Sequence, residues 1–507
     1  METPDVVRNA AKRFSDRLCV VEGSRSHTFA QTDQRADRLA AAMLKGGLRR
    51  GDRVALLATN ELEYLEIQVA AMRAGVILVP LNYRLALPEL RFIVADCAPQ
   101  LLIHGPGYAG AAAELGVATT WHLGADGHGE PYEDALSIAN VSPQVPFLRA
   151  RDASSILYTS GTTGRPKGAI ISNAALHARI TMFALEIQIR PGDVFAQALP
   201  MFHIASNVSY AFAYMAATNI MVGEFDPAKV LALLERHRAT HVLLVPTMIN
   251  LMNSEPTIDS TRFPELRLVL YGASPIPPQV LRRAIDVFGS GFIQFFGMTE
   301  TAGCSLLRPA DHDPDRHPER LASAGTDSVS FETRIVDADD RDVPSGQVGE
   351  IICRGPSLMD GYWDSVKATT AALRNGWMHT GDLGYRSDDG YLFVTDRLKD
   401  MIISGGENIY PREVEDVLYQ HPVVFEAAVI GVPDARWGEA VHALIVPRGG
   451  ETVDSGAILS HCRARLAAYK VPKSIEQVDE LPKNATGKVL KRLLREKHAD
   501  AARDRSE

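Results

Sequence analysis

Cysteine is scarce and scattered in this sequence. The 507 residues include only five, Cys19, Cys97, Cys304, Cys353 and Cys462, and no two stand at the short paired spacing of a zinc site or a redox motif. That excludes a disulfide framework and fits a reducing compartment, so a cytoplasmic location is expected. Each cysteine reads as a small buried apolar residue rather than a nucleophile. Positive charge is also in deficit, with 53 Lys and Arg against 62 Asp and Glu and a net charge of −9. A general nucleic-acid binder needs a field of the other sign, so no nucleic-acid partner is expected. Long apolar runs are missing too. From Met1 to Glu22 charges recur throughout with no apolar core, so no signal peptide is expected. The most apolar stretch, Ala211 to Gly223, is broken by Thr218 and Asn219 and falls short of the roughly 20 residues of a spanning helix. It reads as a buried helix followed by a strand, and no integral membrane segment is expected.

What remains is the composition of an ordinary globular protein, 46% hydrophobic and 23% charged. The length implies two to four domains at about 150 residues each. Arg53–Ala58, Gly75–Pro80, Gln100–His104 and His241–Val245 read as buried strands, with helical patterns such as Thr32–Lys45 and Glu61–Arg73 between them. Nearly continuous apolar strands alternating with helices imply mostly parallel sheets covered on both faces. From about Ser323 the strands become shorter and more turn-punctuated (Ser330–Asp337, Gly349–Arg354), which points to antiparallel pairing. Beyond Asp396 a smaller α+β pattern follows, with strands at Glu426–Gly431 and His442–Pro447 and helices at Pro411–Gln420 and Ser455–Ala468. The expected division is therefore a large unit over 1–396 and a small one over 397–507.

The segment Thr159-Ser-Gly-Thr-Thr-Gly-Arg-Pro-Lys-Gly168 follows the apolar strand Ser155–Tyr158. Glycines let backbone N–H groups converge and hydroxyls donate to phosphate oxygens, so the segment reads as an anion cradle to which Arg165 and Lys167 add charge. The Walker pattern cannot be laid over it. A rival, Gly105-Pro-Gly-Tyr-Ala-Gly110, matches a dinucleotide fingerprint in spacing alone. Its helix, Ala111–Leu115, ends after barely a turn, so it reads as a surface loop. Four further stretches carry chemistry: Leu199–Ile204 with His203 among apolar residues, Gln294–Glu300, His379–Leu383 with Asp382 after a glycine turn, and the basic loop Pro482–Lys488. Taken singly, each has a plainer account as a core histidine, a helix-capping acid, a turn aspartate or a solvated tail. Their order and joint presence argue otherwise.

In that order, together with Tyr271–Ser274 and Asp396–Pro411, these motifs resemble those of the adenylate-forming, AMP-forming acyl-CoA synthetases from about residue 10 to 497. The likeness extends to both bacterial fatty-acid–CoA ligases and feruloyl-type aryl-CoA ligases. The resemblance implies an α/β fold. A large N-terminal domain would hold two mostly parallel helix-covered sheets and a smaller distorted antiparallel barrel, followed by a small mobile α+β domain. It implies an ATP- and Mg²⁺-dependent enzyme that joins a carboxylic acid to coenzyme A through an acyl-AMP, releasing pyrophosphate and AMP.

Carried over residue by residue, Thr159, Ser160, Gly161, Thr162, Thr163, Gly164 and Lys167 wrap the β- and γ-phosphates. Thr299 contacts the α-phosphate and Glu300 holds Mg²⁺. Gly272, Ala273, Ser274 and Phe296 flank adenine, and Asp382 and Arg397 take the ribose. Lys488 is the charge clamp of adenylation, and His203 sits beside the acid's carboxylate. Lys399 is the hinge about which the small domain turns for the second step, and Ser404, Gly405, Gly406 and Trp437 line the pantetheine path. The acid's tail is expected among Phe202, Ile204, Asn207, Tyr271 and their neighbours, with no Arg or Lys to pair a second carboxylate. This favours a medium- or long-chain fatty acid, or a cinnamate- or ferulate-type acid, over a dicarboxylate, and the fatty acid is taken first. A catalytically inert nucleotide binder is the reading from another class. A homodimer, and a lysine acetyltransferase acting on Lys488, complete the expected partners.

Overall fold

The apolar strands read from the sequence are buried on both faces, and that double burial organises the large part of the molecule. The computed structural model describes residues 5–125, 127–137, 149–159, 166–258, 263–398, 400–404, 407–434, 436–449, 451–483 and 488–503. Along Arg53–Leu57, Val54 and Leu56 enter one apolar core while Ala55 and Leu57 enter another. Along Leu268–Gly272, Leu268 and Leu270 face the first core while Val269 and Tyr271 face a third. Side chains alternate between the two faces of a strand, so apolar residues at every position require cover on both.

Two large sheets result. In one, six neighbouring strands run parallel in the spatial order Gly291–Phe296, Leu268–Gly272, His241–Leu244, Val194–Gln197, Thr218–Met221 and Leu18–Glu22. Antiparallel strands at its edges bring the sheet to nine. In the other, Ala153–Thr159, Ile77–Pro80, Arg53–Leu57, Leu101–His104, Thr120–His122 and Glu130–Pro131 are parallel. Lys167–Ser172 and Gly361–Tyr362 add antiparallel strands beyond Ala153–Thr159. The first core joins the facing sides of both sheets, with Leu56, Leu101 and Leu157 from one and Phe195, Leu270 and Ile293 from the other.

The helix Tyr64–Ala74 is buried at every position. It even encloses Arg73, which is wholly inaccessible and held by Asp5 at 2.8 Å, Asp33 at 2.6 Å and Asp37 at 3.0 Å. Phe29–Lys45 packs beside it, started by a capping box in which Thr28 and Gln31 satisfy each other's backbone N–H groups.

The expected small barrel is a curled five-stranded antiparallel sheet built from Glu332–Val336, Gly349–Arg354, Leu373–Arg374, Trp377–Arg386 and Leu392–Arg397. The C-terminal domain has its own sheet of Ile402–Ser404, Glu407–Ile409, Val424–Asp434, Gly438–Pro447 and Ser474–Gln477. Helices Pro411–Leu418 and Ser455–Arg463 cover one face through Val414, Leu418 and Ile458, and Leu494 of Lys491–Arg503 packs on the other. Its docking on the curled sheet is polar. Arg412 Nη1 donates to the Val394 carbonyl at 2.6 Å and the Arg412 N–H to Asp396 Oδ2 at 3.0 Å.

All five cysteines are buried thiols, and among the described residues no helix is long and apolar enough to cross a membrane. The rival glycine motif is a surface loop in which Pro106, Gly107 and Gly110 are exposed and only Gly105 is packed. Gly105 continues its strand by donating to the Leu57 carbonyl, and a Cβ there would meet Ala58 at 3.2 Å. The helix that follows, Ala109–Leu115, has only seven residues.

Arg73 binds three carboxylates at once, and removing it takes the buried cation from Asp5 while Arg8 still pairs with Asp33 and Asp37. Arg73→Met is expected to lower unfolding stability by about 3–5 kcal/mol, read as a fall in the denaturation midpoint.

Candidate active site

A close backbone approach and a left-handed turn shape one side of a cavity. Gly272 ends its strand so near the next one that a Cβ would lie 2.5 Å from the Phe295 carbonyl. Ala273 then turns through a left-handed conformation, φ +70°. The chain thereby leaves the sheet and presents Ala273 and Ser274 to a cavity of about 240 Å³ that Phe296, Asp382, Arg397 and Lys488 also line. Six residues singled out from separate motifs thus meet in one place.

Asp382 is aimed by its neighbours. Gly381 turns with φ +69° and donates its N–H to Glu350 Oε1 at 3.1 Å. Thr380 donates its hydroxyl to the Ile351 carbonyl at 2.6 Å and accepts the Asp382 N–H at 3.1 Å. His379 Nδ1 lies 2.9 Å from the other Glu350 oxygen. The Asp382 carboxylate is buried and sits 2.9 Å from Arg397 Nε. The Arg397 N–H lies off the line to that oxygen, so the contact is an ion pair without hydrogen-bond geometry and Nε has no hydrogen-bond acceptor among the described residues. A buried acid beside an unsatisfied donor suits a ligand bearing vicinal hydroxyls, which both donate and accept.

A second group of predicted residues gathers beyond this cavity. Gly297 is pressed against the following turn, where a Cβ would lie 1.6 Å from the Ala302 carbonyl. Ala302 takes φ +65° and the Met298 N–H donates to Thr301 Oγ1 at 3.1 Å, which sets Thr299 and Glu300 at the turn's tip. The Glu300 carboxylate is buried, and its Oε1 accepts the Tyr362 hydroxyl at 2.7 Å. Burial, reinforced by the Glu300 charge, raises the Tyr362 pKa, so the hydroxyl stays a donor. The same ring lies beneath Lys167 Nζ at 5.3 Å. Thr159 closes its strand opposite Lys167, whose carbonyl accepts its hydroxyl at 3.5 Å. Ser160, Gly161, Thr162, Thr163, Gly164 and Arg165 lie outside the described residues, as do Lys399, Gly405 and Gly406. A buried carboxylate with one oxygen engaged by a hydroxyl is the donor set of a hard cation that keeps most of its other ligands from water or phosphate, so Glu300 fits Mg²⁺.

The acid-binding expectation needs two corrections. Tyr271 is wholly buried and does not border the cavity described above. Its ring lies in the core on the other face of the sheet, with its hydroxyl 2.9 Å from His312 Nε2. Nor is the region free of cations. Arg179, fully buried in the middle of the apolar helix Asn173–Ile187, donates to the Ser357 carbonyl at 2.9 Å, the Glu300 carbonyl at 3.3 Å and Asn207 Oδ1 at 3.5 Å. Burial lowers its pKa to about 9. His203 is kept neutral with a pKa near about 4, first by burial and then by the charge of Arg84. Its ring packs on Phe202 at 4.3 Å, and Phe202 meets the half-buried Tyr83 edge-on at 5.2 Å. Ile204 stands at the start of helix Ala205–Tyr214, in which Asn207 is buried.

On the C-terminal sheet Ser404 pairs with Gly438, and Trp437 beside it is 41% exposed with Arg436 stacked at 4.7 Å. The sequence reading passed over Tyr362, Arg179, Glu350 and Arg412. Only Arg179 left a trace, as a cation amid an apolar helix.

The profile of the AMP-binding enzymes matches residues 7–363, and that of the AMP-binding enzyme C-terminal domain matches 413–488. A feruloyl-CoA synthase of an Amycolatopsis species is 40% identical over 483 residues, spanning 95% of this chain and 96% of the relative. A long-chain-fatty-acid–CoA ligase of Mycobacterium tuberculosis is 36% identical over 484 residues, spanning 93% of each. The crystal structure of ATP-bound MatB from Rhodopseudomonas palustris superposes with a TM-score of 0.89 at 33% identity, covering 98% of this chain and 99% of that one.

Three desolvated histidines, His241 and His312 buried and His203 half-buried, give the molecule a signature in acid. Burial holds His203, His241 and His312 neutral with pKa values of about 4, about 3 and about 4. The unfolded chain takes up protons near pH 6.5 that the folded chain refuses. Their contribution to stability is therefore complete above about pH 6.5 and is lost as pH falls toward 4. Urea midpoints are expected to drop between pH 7 and pH 5, and His203→Asn to flatten that drop.

Proposed function

Because the chain belongs to the AMP-binding enzyme family and is an AMP-forming acid–thiol ligase that uses ATP, Mg²⁺ and coenzyme A, we propose that its acid is an aryl acid of hydroxycinnamate type. The observation that carries this reading is the ring cluster of Tyr83, Phe202 and the neutral His203, which offers flat apolar surface to an aromatic acid. The 40% identity to a feruloyl-CoA synthase supports it. A medium- or long-chain fatty acid, taken first from the sequence alone, is the second reading and is supported by the similar long-chain ligase.

In the first step a carboxylate oxygen of the acid attacks the α-phosphorus of ATP. The bond to the bridging oxygen breaks and pyrophosphate leaves. Ala273, Ser274 and Phe296 flank the adenine, while Asp382 accepts ribose hydroxyls and Arg397 offers its unsatisfied N–H to one of them. Thr159, Lys167 and the residues between them hold the β- and γ-phosphates, and Thr299 meets the α-phosphate. Bound at Glu300, Mg²⁺ supplies neutralising charge to the phosphate oxygens. Lys488 brackets the carboxylate and the α-phosphate, where negative charge accumulates. A neutral His203 orients the acid without competing with Lys488 for its charge.

In the second step the sulfur of coenzyme A attacks the acyl carbon and AMP departs. The unit over 397–507 turns about Lys399, which withdraws Lys488 and brings Ser404, Gly405, Gly406 and Trp437 to the thiol's path. Acetylation of Lys488 would remove the charge that the first step needs and leave the second step intact.

Pyrophosphate release with ATP, Mg²⁺ and an acid panel tests this reading. Ferulate and cinnamate are expected to exceed the fatty-acid series from acetate to stearate in kcat/KM. A preference for dodecanoate or palmitate would move the assignment to the second reading, and silence toward every acid would refute the ligase. Lys488→Ala and Lys488→Gln are expected to slow adenylation by about 10²–10³-fold while thioester formation from supplied acyl-AMP persists.

A further inference from the structure

The C-terminal sheet carries a cluster that the ligase chemistry does not use. His442 lies on Gly438–Pro447, Glu476 on the neighbouring strand Ser474–Gln477, and His498 on the helix Lys491–Arg503 that crosses them. We propose that His442, Glu476 and His498 bind a divalent transition-metal ion, of which zinc fits the geometry best.

One carboxylate oxygen, Glu476 Oε2, lies 3.6 Å from His442 Nε2 and 3.3 Å from His498 Nε2. Donors bonded at about 2.0–2.1 Å around a tetrahedral ion sit roughly 3.3–3.4 Å apart. The three ligand atoms all fall within 4.8 Å of one another, so side-chain rotation alone can bring them around one ion. Neither Nε2 forms a hydrogen bond among the described residues, although both are shielded from solvent. His442 Nε2 stands too far from the carboxylate for a hydrogen bond, and His498 Nε2, though near enough, lies off the line that one needs. For His442, whose side chain is 91% buried, this is an orphaned polar atom turned into the cluster. Such an atom is costly unless something completes it.

The surroundings prepare the set for a metal. Ser474 Oγ lies 2.7 Å from His442 Nδ1, which accounts for that ring nitrogen and leaves Nε2 to coordinate. Lys497 Nζ stands 3.6 Å from Glu476 Oε1, so it takes the carboxylate oxygen that the imidazoles do not share. Two imidazoles and a carboxylate select against Mg²⁺, which prefers all-oxygen ligation. A fourth position remains for water, as in other His₂Glu zinc sites. The ion would cross-link two strands to the helix that begins at Lys491, immediately beyond Lys488, and so stiffen the root of the segment that delivers that lysine.

Titration of chelator-treated full-length protein with Co²⁺ and then Zn²⁺ tests the site, with excess Mg²⁺ and no nucleotide present. One equivalent of Co²⁺ is expected to give the intense visible absorption of a tetrahedral site with nitrogen ligands, displaced by Zn²⁺. His498→Ala should abolish that band, and Ser474→Ala, which removes only the supporting hydroxyl, should weaken binding by about tenfold or more. His442→Ala is the direct variant for the buried ligand. Should it not fold, His498→Ala and Ser474→Ala still decide the matter. Absence of one-equivalent uptake by the native protein overturns the proposal, as does a band unchanged in His498→Ala.

Discussion

Parallel strands covered on both faces shut water out along their length, so polar side chains there, such as His104, Gln197, Asn219 and His241, are buried away from any ligand. This constraint displaces nearly all the chemistry of the large unit to the carboxyl ends of its strands. Ala153–Thr159 ends at Thr159 and the phosphate segment, and Leu268–Gly272 ends at Ala273 and Ser274. Gly291–Phe296 ends at the turn bearing Thr299 and Glu300, and Val194–Gln197 leads to His203. In open α/β sheets ligands bind in the crevice at those ends. The motifs are distant in sequence and adjacent in space because the strands that launch them are neighbours or face one another across the shared core.

The same constraint explains which parts were legible in the sequence. Apolar runs revealed the doubly covered strands, since burial on both faces removes the alternation that a half-exposed strand would show. The loops at their ends were legible because they must combine special backbone geometry with chemistry. Gly272 and Gly297 tolerate no Cβ, and Gly381 turns with positive φ, so glycine spelled out each turn beside the functional residue. The long C-terminal hairpin was read too short. Val424–Asp434 continues through Gly431 and Pro433, which look like breakers, because the ladder with Gly438–Pro447 runs to the turn itself.

Residues whose importance comes from tertiary neighbours left little local signal. Tyr362 lies on a two-residue strand and matters because it bridges Lys167 and Glu300. Arg179 matters because two carbonyls and an amide converge on it inside the core. Tyr271 failed in the opposite way. It adjoins Gly272 in sequence, but the period of two turns its ring to the face away from the cavity, where His312 meets its hydroxyl. Adjacency to a motif therefore argued for the backbone of Tyr271 and against its side chain.

The polar seam between the curled sheet and the C-terminal domain is also part of the cavity. Arg397 pairs with Asp382 across two strands of that sheet. Asp396 beside it accepts the N–H groups of both Arg397 and Arg412, and Arg412 in turn holds the Val394 carbonyl. Asp382, Val394, Asp396, Arg397, Arg412 and Lys488 all border the same space. A ligand that satisfies Arg397 Nε therefore acts on the residues that seat the C-terminal domain, and a domain that swings away removes Arg412 and Lys488 together. Under the proposed mechanism, occupancy of the cavity and position of the small domain are one equilibrium viewed from two ends. Any group that binds one arrangement better must shift the other by the same free energy. Under that mechanism, exchanging a bound triphosphate for an adenylate and free pyrophosphate changes the charge facing Lys488 and so biases the position of the domain that carries it.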